Sequence, residues 1–320
     1  MAPHKMGIAA EGRAVSNGLP SRPVAPDVLI HLHIAKTGGT SASSLMKHGF
    51  RADEIFEWTR HGVEEYTALQ MATRESCERQ LAAFGLDRIR YAAGHMPMGV
   101  HTLFDRSAKY FTILRHPVDR VISLFYFLIQ LGVPLCKDGK RLTFEDYIES
   151  RSDINLCDYQ VRAVSGCAEL DAPPGPPNEV INAPPVEKRH LEVAKRNIEE
   201  LFVAAAPLEQ VTELALLVRR VYGWPMRRLQ TEYKNPTKER PKSVEVSPRL
   251  IKIIEECNSY DLELYEWVGN RFAEQRRLFE PGLSRDLRVF GVVNRALNKA
   301  GEILPWSVRK RIAEILFYAK

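Results

Sequence analysis

The stretch that sets the fold class is Val28-Leu29-Ile30-His31-Leu32-His33-Ile34-Ala35-Lys36-Thr37-Gly38-Gly39-Thr40-Ser41. Residues 28–34 are mostly apolar and partly β-branched, a pattern that predicts a buried strand. Two glycines then mark a loop, and residues 42–48 predict a helix with Thr40 or Ser41 as its cap. A strand that leads through such a loop into a helix is typical of parallel α/β sheets.

The loop at residues 35–41 carries groups that suit an oxyanion. Because Gly38 and Gly39 have no Cβ atom, the backbone can approach a ligand closely and successive N–H groups can converge on it. Lys36 adds a full positive charge, and the helix N-terminus adds a partial one. The hydroxyl donors of the loop are Thr37, Thr40 and Ser41. A Gly-Gly pair alone would fit a simple chain reversal, but the lysine and the hydroxyls favour phosphate binding.

The loop differs from two common nucleotide motifs. The loop of nucleoside-triphosphate-binding proteins places its lysine after the glycines, whereas Lys36 comes before them. The dinucleotide fingerprint Gly-x-Gly-x-x-Gly is absent as well. These differences argue against a nucleotide kinase.

A second strand–loop–helix unit supplies another basic group. Residues 110–114 predict a strand, and Pro117 opens an apolar helix over residues 118–131. Arg115 lies at the carboxyl end of that strand, and Ser123 follows two helical turns into the helix. Ligands of doubly wound sheets lie beyond the carboxyl ends of the strands, so an arginine fork and a serine hydroxyl there predict a second phosphate site. Arg115 alone would fit a surface ion pair.

The rest of the chain continues the alternation of strands and helices. Further strands are predicted at residues 90–93 and 201–205, and helices at 144–149, 154–164, 187–199, 209–222, 247–257 and 261–278. The proline-rich segment Asp171–Pro185 predicts a surface loop. We therefore expect an α/β chain with a central, mostly parallel sheet that is flanked by helices.

Composition limits the class of protein. The chain has 320 residues, of which 45% are hydrophobic and 27% charged, values typical of a globular protein. A net charge of +5 is too small for a dedicated nucleic-acid binder, so no nucleic-acid partner is expected. No apolar run approaches the ~20 residues of a membrane span, and the first residues lack the apolar core of a secretory signal. The sequence predicts a soluble, cytoplasmic protein.

Five cysteines are scattered along the chain without a Cys-x-x-Cys pair, so neither a zinc site nor a thiol-redox motif is predicted. They are Cys77, Cys136, Cys157, Cys167 and Cys257. Free thiols are the expectation, and a Cys157–Cys167 bridge is the alternative. We see no group of metal ligands in the sequence.

The two loops together resemble those of sulfotransferases that use 3′-phosphoadenosine 5′-phosphosulfate (PAPS), and most of all the carbohydrate branch that includes the heparan sulfate 2-O- and 6-O-sulfotransferases. Residues 31–41 resemble the family's 5′-phosphosulfate loop, His-Ile-Pro-Lys-Thr-Gly-Gly-Thr, with Ala35 in place of proline. Residues 112–123 resemble the 3′-phosphate element, with Arg115 and Ser123 in its ligand positions and His116 where aspartate is usual. The resemblance extends over residues 28–279 and implies a P-loop-like, three-layer domain.

Three further segments resemble parts of this family. Asn235–Pro241 is similar to the loop that folds over the nucleotide, which implies roles for Lys238 and Arg240 in donor binding. Asn258–Tyr265 resembles the helix that closes the domain. Asp158–Arg162 resembles a segment that lines the acceptor side. There, Gln160 and Arg162 would contact the acceptor, although Arg162 fits a charge on a helix surface equally well.

Gly94-His95 follows a predicted strand and aligns with the family's Gly-His element, whose histidine is the catalytic base of the 2-O branch. Imidazole titrates near neutral pH and suits that task. The alternative for His95 is a cap on the strand end, bonded to the backbone. His101 is a weaker candidate for the base. Both His31 and His33 lie within a strand and fit core positions.

The implied reaction moves the sulfuryl group of PAPS to an acceptor hydroxyl and leaves adenosine 3′,5′-bisphosphate (PAP). Lys36 would stabilise the leaving group and His95 would act as base, with no metal. The acceptor is expected to be a carbohydrate. The alternatives are the alcohol of a lipid or secondary metabolite, or a binding module that keeps the nucleotide and has lost turnover.

The sequence suggests three parts: a flexible leader at residues 1–26, a sulfotransferase-like domain at 27–280 and a basic helical extension at 281–320. Residues 286–320 hold seven basic and three acidic side chains, with apolar residues at helical spacing. Such helices can lie on an anionic membrane or dock a protein partner. They can equally pack back onto the domain.

Overall fold

The structure, a computed structural model, describes residues 22–58, 73–133, 135–151, 153–170, 180–182, 184–225 and 245–301, with side chains to residue 292. The strands are β1 (Val28–Leu32), β2 (Ile55–Glu57), β3 (Tyr91–Gly94), β4 (Ala108–Leu114), β5 (Cys136–Lys137), β6 (Lys140–Arg141) and β7 (Phe202–Pro207). The helices are α1 (Gly39–Lys47), α2 (Arg74–Phe84), α3 (Pro117–Gln130), α4 (Phe144–Ser150), α5 (Tyr159–Ser165), α6 (Lys188–Leu201), α7 (Val211–Tyr222), α8 (Pro248–Cys257), α9 (Ser259–Arg277) and α10 (Gly282–Gly301).

The central sheet has five strands in the order β2-β3-β1-β4-β7, and every neighbouring pair is parallel. In the register of β1, Leu32 lies beside Gly94 of β3 and His31 lies beside Phe111 of β4. The predicted α/β class with a parallel sheet flanked by helices is confirmed. The sequence predicted a mostly parallel sheet, and the five strands of this central sheet are all parallel.

Burial explains why four of the five residues of β1 are apolar. All five of its residues are buried, because helices cover both faces of the sheet. Ile30 packs on one face with side chains of α2, α6 and α9. Leu29 packs on the other with α1, α7 and α10. A third apolar cluster joins α3, α4 and α8 beside the sheet.

Some elements differ from the sequence-based predictions. The three-residue edge strand β2, the helix α2 and the small β5–β6 hairpin were not predicted. The helix predicted at residues 154–164 begins only at Tyr159, because Asp158 adopts a left-handed backbone angle (φ 46°) that interrupts an earlier start. Most of the predicted loop Asp171–Pro185 lies outside the described residues.

The described part of the C-terminal extension packs back onto the domain. Helix α10 starts at Gly282, close to the predicted boundary, and Leu283 and Phe290 are buried in the cluster that includes α7. Asp286 accepts hydrogen bonds from both Arg219 and Arg220 of α7. Residues 302–320, which include the basic run 309–311, lie outside the described residues. Within the described ranges, the helices are too short or too polar to cross a membrane.

A buried polar junction ties α5 to α9. The backbone N–H of Asp261 donates to the Asp158 carboxylate (2.8 Å), and the Asp261 carboxylate accepts the N–H groups of Gln160 (3.0 Å) and Val161 (2.7 Å). The N–H of Asp158 donates in turn to Asn258 (3.2 Å). Burial, reinforced by the neighbouring Asp261 charge, raises the pKa of Asp158 to about 8.

This junction predicts a pH-dependent stability. The folded chain keeps the Asp158 proton up to a pKa of about 8, whereas the unfolded chain releases it near 3.8, so the fold loses stability as pH rises between these values. Asp158→Asn removes the titration, keeps the acceptor oxygen and suits the left-handed backbone. Its melting temperature should match wild type near pH 4 and exceed it increasingly towards pH 8 in thermal denaturation followed by circular dichroism. The exposed Asp105→Asn variant is the control, and a constant difference across this range would contradict the assignment.

Candidate functional site

Three adjacent strands end at one edge of the sheet, and each is followed by a residue singled out in the sequence. His95 follows β3, the loop with Lys36 follows β1, and Arg115 follows β4. From β1 the chain turns towards β2, and from β4 it continues to β7 on the opposite side. A crevice between β1 and β4 is the position where parallel α/β sheets bind ligands.

The loop after β1 is held in an unusual backbone shape. Lys36 and Gly38 both have left-handed angles, φ 68° and φ 84°. The Thr37 hydroxyl is buried and donates to the carbonyl of Ile34 (3.0 Å), so it braces the loop from inside. Strain at Lys36 is the kind of feature that is found at ligand sites.

The start of α1 differs from the prediction. Gly38 is the N-cap, and no side chain caps the helix. Thr40 and Ser41, predicted as alternatives for the cap, lie inside α1, where Thr40 is exposed and Ser41 half-buried. The N–H of Ser41 donates to Gly38 O (3.1 Å) and closes the first turn. The first turn of α1 contains no acidic residue, so no fixed negative charge on that turn opposes an anion there.

Arg115 is joined directly to the first loop. Its Nη1 donates to the carbonyl oxygen of Lys36 (3.1 Å). Its backbone is held as well, because the Gln160 side chain accepts from the Arg115 N–H and donates to the Arg115 carbonyl, both at 2.9 Å. The two predicted anion-binding residues therefore lie side by side.

The ammonium group of Lys36 lies over the ring of Phe127, 3.5 Å from its centroid. This cation–π contact places Lys36 beside α3. Ser123 is one helical turn before Phe127 on the same helix and is buried. Lys36 thus bonds to Arg115 through its carbonyl, and its ammonium group lies against α3 one turn beyond Ser123. Phe127 was not predicted to lie at the site, although its spacing of four residues from Ser123 indicates that both lie on the same face of the helix.

His95 is half-buried and bonded to the backbone. Its Nδ1 lies 2.8 Å from the carbonyl oxygen of His33. Because a carbonyl only accepts, Nδ1 must carry the proton, and Nε2 is then the basic nitrogen of the neutral ring. The two alternatives for His95, strand-end cap and base, are therefore compatible with each other.

Aromatic rings form a column beneath His95. The ring of His33 stacks on His95 (centroids 4.3 Å apart), the ring of His31 on His33 (5.1 Å), and Phe111 on His31 (4.5 Å). His31 is a buried core residue as expected, with Nδ1 2.8 Å from the Ser43 hydroxyl, and burial lowers its pKa to about 3. It stays neutral at physiological pH. His33 was predicted to be a core residue within the strand, but it follows the end of β1 and is only half-buried. Its ring stacks on His95 and lies against Gly39 of the loop.

Other predicted residues have different positions. His101 bonds to the Tyr110 hydroxyl (3.0 Å), near the start of β4 and away from the crevice. Gln160 and Arg162 were expected to contact an acceptor, but both are buried: Gln160 clamps Arg115, and Arg162 donates to the carbonyls of Leu170 and Pro184 (both 2.9 Å). The structure thus favours structural roles for the two, and Arg162 is not a surface charge. Lys238 and Arg240 lie outside the described residues.

One group of possible metal ligands occurs in the described ranges: Cys167, Glu169 and His190 lie within 4.8 Å of one another. His190 Nδ1 accepts the N–H of Glu187 (2.9 Å), so in the neutral ring Nε2 carries the proton and faces Glu169 (3.3 Å). A metal on Nε2 would require that nitrogen to give up its proton while Nδ1 still accepts. The geometry favours a hydrogen-bonded start of α6 over a metal site.

Gly39 lies against the ring of His33, so a side chain at this position is expected to clash with that ring. A Cβ atom at Gly39 would lie 2.0 Å from Cδ2 of His33. Gly39→Ala should therefore lower the free energy of unfolding by ~1–3 kcal/mol, as overpacking typically does, in urea denaturation. Gly269→Ala in α9 is the control, because its Cβ would lie 3.7 Å from the nearest atom, in Pro207. Equal free energies of unfolding for the two variants would show that the His33 ring can move aside without loss of stability.

These contacts describe the site from the chain's own residues. No model of a known protein family matches the chain, and a comparison with curated proteins gives no match either.

Proposed function

We propose that this protein is a PAPS-dependent sulfotransferase of P-loop-like fold that transfers the sulfuryl group to an acceptor hydroxyl, with a carbohydrate as the preferred acceptor class. The observation that carries the proposal is the hydrogen bond between Arg115 Nη1 and the Lys36 carbonyl. It joins the two loops that resemble the 5′-phosphosulfate and 3′-phosphate elements of that family. A donor with phosphate groups on both the 3′ and 5′ oxygens of its ribose fits two basic loops that meet in one crevice.

The loop after β1 would hold the 5′ end of the donor. Backbone N–H groups at the start of α1 and the Lys36 ammonium offer positive charge to the phosphosulfate. The side chain of Lys36 would leave the Phe127 ring for the oxygen that bridges sulfur and phosphorus, where negative charge builds as that bond breaks. The Thr37 hydroxyl donates to the loop itself, so its contribution is to the loop shape.

The loop after β4 would hold the 3′-phosphate. A guanidinium has five N–H donors and binds phosphate through two of them, and the bond to Lys36 O uses one. The Gln160 clamp fixes the backbone from which this side chain projects. Ser123 on α3 would add a hydroxyl.

His95 would accept the proton of the acceptor hydroxyl. Its Nδ1–H is bound to His33 O, so Nε2 is the atom that takes the proton while the acceptor oxygen attacks sulfur. The neutral His31 within the column adds no charge that would oppose protonation of His95.

Nucleotide binding tests the proposal with two ligands and the full chain. Calorimetric titration should show that the protein binds PAP more tightly than 5′-AMP, which lacks the 3′-phosphate. Arg115→Ala should weaken PAP binding by about 10–100-fold, since hydrogen bonds to charged groups contribute ~1.5–3 kcal/mol, and should leave 5′-AMP binding nearly unchanged.

Lys36→Ala should weaken the binding of both PAP and 5′-AMP, and it should abolish sulfate transfer from radiolabelled PAPS. The exposed Arg249→Ala variant should behave as wild type. If PAP and 5′-AMP bind equally to the wild-type protein, the assignment of Arg115 is wrong. If PAP binds and no alcohol in a panel of glycans, lipids and small metabolites is sulfated, the chain is a binding module.

Two substitutions at His95 separate a base from a cap. His95→Ala should lower turnover by ~100–10,000-fold, the loss typical of a general base, with little change in PAP affinity. His95→Asn keeps an N–H near the Nδ1 position for the bond to His33 O but provides no base. Equal losses in the two variants would support the base, whereas recovery of turnover in His95→Asn would show that only the cap matters.

A further inference from the structure

Two of the five cysteines meet at the junction behind Arg115. Cys157 is two residues before α5, and Cys257 is the last residue of α8. The Asn258 side chain accepts from the N–H of Asp158 (3.2 Å) and donates to the carbonyl of Leu156 (2.8 Å), so the residues that flank the two cysteines are bonded to each other. Both cysteine side chains are half-buried and pack against the cluster that joins α3, α4 and α8, and each thiol shifts the pKa of the other. The sequence analysis considered a bridge from Cys157 to Cys167, but the structure places Cys257 against Cys157. The Cys157 thiol has a single hydrogen, for which the Arg151 carbonyl (3.6 Å) and the Cys257 sulfur compete as acceptors.

We propose that Cys157 and Cys257 form a redox-active pair that closes to a disulfide when the protein meets hydrogen peroxide. A thiol that donates to a neighbouring sulfur stabilises the thiolate form of that neighbour, and only the thiolate attacks peroxides. Here the hydrogen bond from Cys157 lowers the pKa of Cys257 to about 7, and the charge of Arg151 acts in the same direction. Cys257 is therefore the attacking sulfur and Cys157 the resolving one.

The chemistry balances in two steps. The Cys257 thiolate attacks one peroxide oxygen and breaks the O–O bond, which leaves a sulfenic acid and a hydroxide ion. The Cys157 thiol then attacks the sulfenic sulfur, an S–S bond forms and water leaves. In sum, two thiols lose two electrons and two protons, and one peroxide becomes two waters. A dithiol reductant reverses the reaction by thiol–disulfide exchange.

Formation of the disulfide would affect the candidate site through a short chain of hydrogen bonds. A disulfide of ~2.05 Å is shorter than any thiol hydrogen bond, so one or both cysteines must move. The next residue in each segment belongs to the junction: the Asp158 N–H donates to Asn258. Asp158 is bonded to Asp261, Asp261 to Gln160, and Gln160 holds the backbone of Arg115. This path predicts that the oxidised protein binds PAP more weakly, an inference that rests on the proposed function.

Peptide mapping tests the pair without reference to any ligand. The full chain is treated with hydrogen peroxide, its remaining thiols are blocked with N-ethylmaleimide, and it is digested with trypsin. Cleavage after Arg151, Arg162, Lys252 and Arg271 separates Cys157 and Cys257 from the other three cysteines. Mass spectrometry should show peptide 152–162 linked to peptide 253–271, and dithiothreitol should remove the link.

Matched variants give the control. The link should be absent from Cys157→Ser and Cys257→Ser and present in Cys136→Ser and Cys167→Ser. If wild-type Cys257 is oxidised to sulfinic acid without linkage, or if Cys157 links to Cys167, the proposal is overturned.

Calorimetry with PAP tests the path to Arg115 separately. Peroxide should reduce the PAP affinity of wild type several-fold and leave that of Cys257→Ser unchanged. If the link forms and the affinity for PAP stays constant, the redox pair is confirmed, but its proposed effect on Arg115 is wrong. If the reduced protein does not bind PAP at all, the proposed function is wrong, while the peptide result still decides the pair.

Discussion

Parallel pairing of β3, β1 and β4 is the constraint on which the site depends. Because the strands run in one direction, the segments that follow them must emerge at the same edge of the sheet. Residues that are about 60 and 20 positions apart in the chain (Lys36, His95 and Arg115) thereby become neighbours. The bond from Arg115 to the Lys36 carbonyl and the bond from His95 to the His33 carbonyl both cross between adjacent strand ends. The loop after β1 is the common partner in both.

Behind this edge, buried polar side chains are hydrogen-bonded to the backbone of neighbouring elements. Asp261 is fully buried and accepts two backbone N–H groups at the start of α5. Arg120, also fully buried, lies over the ring of Tyr159 and donates to the Asn155 carbonyl. Burying such groups is unfavourable unless they are bonded, so these contacts specify one arrangement of α3, α5 and α9 more than they add stability. That arrangement fixes Gln160, and through it the backbone of Arg115.

Much of the fold could be predicted from the sequence because burial on both faces gives long apolar runs. The strands at residues 28–32, 91–94, 108–114 and 202–207 were predicted to within two residues. The edge strand β2 was missed because three residues with one buried side chain carry no such signal. The late start of α5 was missed because it depends on the backbone of Asp158, which a contact with Asp261, 103 residues away, holds in place.

The candidate site was predictable in part for the same reason. Residues that follow strands, such as Lys36, His95 and Arg115, could be located from the strand ends. Roles that depend on tertiary contact could not: Gln160 and Arg162 were assigned to an acceptor, and both are buried hydrogen-bond donors within the domain. The cation–π partner of Lys36 and the neighbour of Cys157 likewise come from helices that fold back from elsewhere in the sequence.

The two hydrogen bonds of the Arg162 guanidinium have a consequence for the length of the chain segment that they span. One guanidinium donates to the carbonyls of Leu170 and Pro184, so a single buried side chain holds together two points that are 14 residues apart in the chain. The entropic cost of closing a loop between two fixed points grows only logarithmically with the length of the loop. The length of chain between Leu170 and Pro184 can therefore differ at a small entropic cost as long as Arg162 still holds both carbonyls.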